Sequence, residues 1–391
     1  MNILLFDGPE RNHLLPFTFV RPVAHLRIGI DQLIDKWEAF LKSSCTVFTQ
    51  VYLRDKFPAA FGALNTFVNP SYIPTAPLAT AILKLRENHA LHFKGQLIAC
   101  VSAEKQPPKD LADFDLIEWK EELLHLSSIT DLFTLNDIVL QQDFKRLTQG
   151  RTSAKIATTN QVISPENIFI EEGARVEYAT LNAAQGPIYI GKDVEIMEGS
   201  MLRGSIALCR NTIVKMGAKI YGGTTIGPYS KVGGELNNVL IFGYSNKGHD
   251  GFLGNAVIGE WCNIGAATDA SNLKNSYSKL RVWNYESENF AKIELQFCGL
   301  MMGDYSRCSI HSAFNTATVV GVCANLFGLG FPRTFIPSFS YGGAQGFKTN
   351  AFDKAMEANE AMMERKEIPL TAIDRTLLAH VFELSSKWRK D

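Results

Sequence analysis

"IGKDVEIMEGSMLRGSIALCRNTIVKMGAKIYGGTTIGPYSKVG", residues 190–233, carries an aliphatic residue at every sixth position: Ile190, Ile196, Leu202, Leu208, Val214, Ile220, Ile226 and Val232. A spacing of six fits neither the 3.6 period of a helix nor the 2 of a strand. Each unit must therefore be a short strand plus a turn that returns the aliphatic side chain to one inward line. Three units close a triangular coil, and stacked coils form a left-handed parallel β-helix in which each coil buries its apolar side chains only against its neighbours. The period begins with Ile170 and Val176, resumes at Ile258 and Ile264, and resumes again at Met302, Cys308, Phe314, Val320 and Leu326. Gly191, Gly227, Gly233, Gly259, Gly265, Gly303 and Gly321 directly follow inward residues, as suits a tight corner that a Cβ would obstruct.

The stretch before residue 150 lacks this rhythm. NILLF (2–6), TVFTQV (46–51) and LIACVS (97–102) read as buried strands, and residues 25–42 and 76–87 space their apolar side chains as helices do. Strands alternating with helices predict a layered, Rossmann-like α/β domain with a mostly parallel sheet. Beyond the solenoid, a polar glycine-rich exit (338–350) leads to two helical patterns, 352–367 and 370–388, expected to pack on the prism and cap its open end. The expected organisation is an α/β domain over 1–150, the β-helix over 151–345 and a helical tail over 346–391.

Lys and Arg total 39 against 40 Asp and Glu, a net charge of -1, so no bulk field favours nucleic acid or an anionic membrane. The opening MNILLF has no charged leader, and no apolar run reaches the roughly 18 residues of a membrane span. The reading is a cytoplasmic protein. Seven scattered cysteines without a CxxC pair fit reduced core thiols.

In an α/β domain of this kind a nucleotide would be expected at the loop after the first strand. That loop, DGPERNHLLPFTFVRP (7–22), holds Gly8, Arg11 and Arg21. Its order resembles the opening of the sugar nucleotidyltransferases, and the resemblance implies nucleotide contacts at those three residues. Two departures stand out: Gly8 is the only glycine of the loop, and FVNPSYIP (67–74) offers Asn69 where that family places a magnesium-binding aspartate.

The six-residue rhythm breaks at GYSNKGHDGFLG (243–254). An interruption of a solenoid is expected to be extruded as a loop, a place where a rigid prism can hold a catalytic group. His249 lies in it, and histidine is the usual general base near neutral pH. From here the sequence resembles the acetyltransferase half of the bifunctional glucosamine-1-phosphate acetyltransferases and N-acetylglucosamine-1-phosphate uridyltransferases. The shared order is Gly248-His249, LGNAVIG (253–259), NIGA (263–266) and Asn272. The resemblance implies that His249 deprotonates the sugar amine, that Asn272 holds the reaction centre and that Ala266 contacts acetyl-CoA. It also implies a trimer with sites between prisms. Tyr244, Lys247, Arg203 and Lys231 are candidates to bind the substrate, with Lys215 and Lys219 as further cations for its phosphate. Phe252 and Leu273 stand where the family has tyrosines.

The expected function is acetyl transfer from acetyl-CoA to an aminosugar phosphate, glucosamine-1-phosphate first, with a second half that would join UTP to a sugar phosphate and require Mg2+ if it acts. The alternatives are a nucleotidyltransferase whose prism only assembles the oligomer, and a non-catalytic scaffold. A zinc hydratase on the same prism would need three histidines, whereas the repeat region supplies only His249 and His311.

Overall fold

The computed structural model describes residues 2–389. It forms two compact units, one of Met1–Arg27 and Asp31–Ile129, the other of Ile28–Ile30 and Thr130–Asp391.

In the first unit, six strands form one sheet: β1 (Asn2–Phe6), β2 (Cys45–Phe48), β3 (Asn65–Val68), β4 (His89–Phe93), β5 (Gln96–Ser102) and β6 (Asp115–Glu118), in the order β2-β1-β3-β5-β4-β6. β1 is parallel to β2 and β3, and β4 to β6; β5 runs antiparallel to both its neighbours. The unbroken apolar run of β1 follows from burial on both faces. Ile3 and Leu5 meet the cluster around Trp37, Leu78 and Ile82, while Leu4 and Phe6 meet Phe67 and Cys100. Three helices accompany the sheet: the single turn α1 (Glu10–His13), α2 (Leu33–Leu41) and α3 (Ala76–Leu83). The helix expected over 25–42 begins only at Leu33, where the side chains of Gln32 and Asp35 form a reciprocal cap. Upstream, Gly29 turns the chain at φ +66° and Ile28–Ile30 pack in the second unit.

The second unit opens with α4 (Asp131–Thr134) and α5 (Asn136–Thr148) and continues as a parallel β-solenoid of about ten turns. The hexapeptide residues stack in three inward columns. On the first face these are Ile170, Ile190, Leu208, Ile226, Ile241, Ile258, Met302, Val320 and Ile336. The second face aligns Val176, Ile196, Val214, Val232 and Lys247, then Ile264, Cys308 and Leu326. Leu181, Leu202, Ile220, Leu236, Leu253, Ala270 and Phe314 line the third. The glycines after inward residues sit where the next coil comes too close for a side chain: a Cβ on Gly227 would collide with the Phe242 carbonyl.

The first face is covered from outside. Near its start α5 packs Leu140, Phe144 and Leu147 against Tyr189 and Ala207. Asn136, fully buried, accepts from Gly29 N (2.7 Å) and donates to Gly223 O (2.8 Å) and Thr225 Oγ1 (3.1 Å). Further along, an antiparallel hairpin (Arg281–Asn284 with Asn289–Lys292) lies on the same face, Trp283 stacked on Phe335 at 3.9 Å. The chain resumes its coil only at Met301, so the extruded loop of this solenoid is 271–300 rather than 243–254.

The tail forms α6 (Phe352–Glu364) and α7 (Ala372–Leu384). These helices run along the corner between the first and second faces instead of capping the open end. Asn359 bonds Arg307 and Cys323, Lys366 donates to Tyr229 O, and Phe382 packs edge-on to Phe339. The third face stays open: Met201, Arg203, Lys219 and Tyr221 are exposed. No helix among the described residues is long and apolar enough to cross a membrane.

Replacing Asn136 with Ala strands Gly29 N and Gly223 O in the interior, and should lower unfolding free energy by about 2–4 kcal/mol, read by urea denaturation of the whole chain.

Candidate functional site

GYSNKGHDGFLG is a regular coil with residues missing beneath it, which corrects the extruded loop expected from the sequence. Asn246 and Lys247 pair in register with Lys231 and Val232, and Asn246 pairs onward with Asn263. From Val214 to Val232 a coil takes eighteen residues; from Val232 to Lys247 it takes fifteen. Two of the three lost residues come from the corner between the second and third faces, where Val232 and Leu236 are four apart instead of the six between Val214 and Ile220. The next coil restores the full six between Lys247 and Leu253. The full-length corner Gly248–Gly251 thus stands over a shortened diglycine corner, and His249 sits exposed on the resulting ledge.

Contact between the two corners is close. A Cβ on Gly234, which has φ +72°, would stand 2.7 Å from Gly251 O and 2.9 Å from both Asp250 Cα and His249 O. Above the ledge, Ala267 N donates to Asp250 O at 2.9 Å, placing Ala266 on the same edge one coil on from His249. His311 N donates to Ala266 O at 2.8 Å and continues that edge. Asp269 Oδ1 accepts from Phe252 N at 2.7 Å and fixes the start of the strand that leaves the corner.

The remaining sequence candidates divide among three places. Asn272 lies at the far edge of the third face, its Nδ2 donating to Asn255 Oδ1 (2.7 Å) beside Gly254 and the Phe252 ring. His249 and Asn272 therefore flank one face from opposite edges, with Phe252 between them. Arg203, Lys219 and Tyr221 project from that face nearer the start of the solenoid and line a depression of about 230 Å³ with Asn182. At ~4.8 Å per strand, Lys219 stands about 10 Å and Arg203 about 14 Å along the face from the strand of Phe252 and Gly254. Tyr244 lies elsewhere, stacked between Tyr229 (5.2 Å) and Trp261 (4.5 Å) on the corner of the first and second faces. Lys231 is half-buried on the second face beside Asn246. Lys247, expected at the sugar phosphate, is only 3% exposed and occupies an inward position of the coil. Burial pulls its ammonium below the usual lysine range, against the attraction of Asp250, Asp269 and Cys308.

In the first unit the residues after β1 and β3 satisfy one another. Arg11 Nη2 donates to Thr18 O (2.8 Å) and Tyr52 Oη (2.6 Å), and its Nε lies 3.5 Å from Asp7 Oδ2. Asp7 also accepts from Thr49 Oγ1 (2.5 Å) and Val23 N (2.8 Å), and burial still raises its carboxyl above the usual value. Arg21 is buried as well. Gly8 faces Glu10 and Asn69, with Asn69 Nδ2 2.7 Å from where a Cβ would stand. Glu10 bonds His125 Nε2 at 2.9 Å, and burial works against its charge, but His125 and Asn69 together hold its carboxyl below the ordinary range. Ser71 Oγ reaches the same His125 nitrogen at 3.1 Å. A relay from Ser71 to Glu10 would need both ring nitrogens, so this arrangement is structural. These residues do not fit a magnesium triphosphate: Asp7 and Glu10 are each committed to their own partners, and Asn69 carries no charge to bind the cation. Among the described residues no three His, Cys, Asp or Glu side chains converge as metal ligands.

Residues 3–152 match the sugar nucleotidyl transferase family. The N-terminal domain is sugar-nucleotidyltransferase-like. No curated protein matches the chain in sequence. Two solved structures are similar at 13% identity and a TM-score of 0.23: AntD, an N-acyltransferase from Bacillus cereus in complex with dTDP and 3-hydroxybutyryl-CoA, over 58% of this chain and 96% of that one, and a point mutant of AntD with dTDP and coenzyme A, over 57% and 97%.

Sequence reading missed the Gly233-Gly234 corner and the Glu10, Asn69, Ser71 and His125 network. The first was signalled by adjacent glycines where the count of eighteen falls to fifteen; the second joins residues up to 115 positions apart and left no local pattern.

Replacing Gly234 with Ala forces a Cβ into three backbone atoms of the His249 corner at a left-handed φ. The variant should lose about 1–3 kcal/mol of stability in thermal unfolding and lose His249-dependent activity as the corner lifts.

Proposed function

We propose that the second unit is an acetyl-CoA-dependent N-acetyltransferase acting on an aminosugar phosphate, with glucosamine-1-phosphate as the first substrate to test. The observation that carries this reading is the exposed His249 on a rigid ledge with Ala266 one coil further along the same edge. The amine of the sugar attacks the thioester carbonyl carbon, His249 takes the proton that the nitrogen sheds, and the carbon–sulfur bond breaks to release coenzyme A. Ala266 has a small side chain, so an extended pantetheine arm can follow the edge past it toward Ile310 and Gly328. Lys219 and Arg203, on the same face as Phe252 two and three strands nearer the start of the solenoid, supply positive charge for the phosphate. Asn272 holds the opposite edge of that face.

Support for a trimer comes from the same edge. Tyr178 (63% exposed), Met216 (70%), Ile310 (64%) and Leu329 (81%) are exposed apolar side chains along that edge on either side of His249, which a second prism would cover. The amine and thioester would then meet in a groove between two chains, shielded from water.

The test is release of free thiol from acetyl-CoA with glucosamine-1-phosphate and related aminosugar phosphates. His249→Ala should reduce the rate by about 10²–10⁴-fold; equal rates for the two proteins would sink the role given to His249. For the first unit, the committed partners of Arg11, Asp7 and Glu10 leave no cradle for a triphosphate. UTP, N-acetylglucosamine-1-phosphate and Mg2+ should yield no pyrophosphate with the parent protein, as a coupled phosphate assay can check.

A further inference from the structure

Among the inward residues of the second face, Val176, Ile196, Val214, Val232, Ile264, Cys308 and Leu326 are apolar and Lys247 is not. Its four-carbon stem fills the column as an aliphatic residue would, and its ammonium reaches the corner. There Nζ donates to two carbonyls, Gly233 O at 3.3 Å and His249 O at 2.5 Å. One belongs to the shortened corner, the other to the overhanging corner above it. We propose that Lys247 is the positioning residue for His249, an internal clamp that ties the ledge to the coil beneath and so fixes where the imidazole stands.

The argument begins with cost. A lone ammonium inside a solenoid is unfavourable unless its donors are satisfied, and a methionine of similar volume would fill the same column without that cost. Stability of the core therefore gives no reason for a lysine at this position. The corner does: Gly248–Gly251 carries two glycines and stands over a corner that has lost two residues, so a side chain rising from the coil between them can reach the carbonyls of both. Gly251 O and Asp250 O accept from Glu235 N (3.2 Å) and Ala267 N (2.9 Å), which leaves His249 O to be held from within. The bond from Lys247 ends on the backbone of the histidine itself. Asp250 and Asp269 keep negative charge near the ammonium and favour its charged form. Lys247 touches no substrate on this reading; it acts only through His249.

This inference rests on the proposed acetyl transfer, and the experiment separates the two. Lys247→Met should melt at the parent temperature or higher while kcat for acetyl transfer to glucosamine-1-phosphate falls by about a hundredfold, the loss expected for a base displaced by about 1 Å. KM for acetyl-CoA should stay within twofold. In a His249→Ala background the same substitution should change the residual rate by less than twofold, since a clamp has nothing left to position. If His249→Ala is impaired and Lys247→Met keeps the parent kcat, the clamp is wrong and the function stands; if His249→Ala is unimpaired, the role of His249 fails and the clamp with it; if the parent protein releases no thiol, the function itself fails. Amide exchange decides the clamp without any substrate. The Glu235 and Ala267 amides should exchange at least tenfold faster in Lys247→Met, and unchanged protection there would overturn the proposal. Should Lys247→Met misfold, Lys247→Gln, which keeps one donor, is read by the same exchange measurement.

Discussion

The structure of the second unit depends on one constraint: each coil of a parallel solenoid must place an apolar side chain directly over the one below. No other coil can supply the contact, because each coil touches only its two neighbours. A coil that loses residues must lose them from its corners, since a slip within a strand would turn an inward side chain to solvent. Register is kept at Val232–Lys247, where three residues vanish yet all three columns stay aligned and the lysine's aliphatic stem takes the inward place. The irregularity is displaced to the edge, and the edge is where His249 stands.

The same constraint explains how the outer surfaces are used. Helix α5 and the hairpin of 281–292 cover the first face, and the tail helices lie along the corner beside it. Helix α5 and the tail helices are joined by buried polar contacts as well as apolar ones, Asn136 in the former and Asn359 in the latter. What remains open is the third face and its leading edge. A chain that covers its own solenoid so selectively leaves the His249 ledge, the Phe252 strand and the row of Lys219, Tyr221 and Arg203 on one accessible surface.

Nearly all of the first unit lies within the sugar nucleotidyl transferase match, and its loop after β1 is filled with the unit's own side chains. Gly8 looks onto Glu10 and Asn69 where a phosphate would need open backbone, and Arg11 is spent on Thr18 and Tyr52. The family match and the chemistry of the loop thus point in different directions. The sheet is held by Ile3, Leu5 and their partners, none of which belongs to the loop, so the fold does not depend on the loop's chemistry.

The hexapeptide period by itself determined the solenoid, because a repeat of six with an aliphatic at each return has only one way to bury that residue. The break in that period singled out His249, and the family resemblance added Ala266; both lie in motifs of contiguous residues. What only the tertiary structure decided is everything that depends on which coil lies over which. The sequence offered Lys247 as a substrate-binding cation and 243–254 as a loop; stacking turned the lysine inward and made the stretch part of a regular coil. It likewise sent Tyr244 to a different corner and Asn272 to the far edge of the face. The physical reason is that missing residues are taken up at a corner while the inward columns stay in register, so the face or corner a residue occupies is fixed by contacts between coils rather than by its place in the sequence.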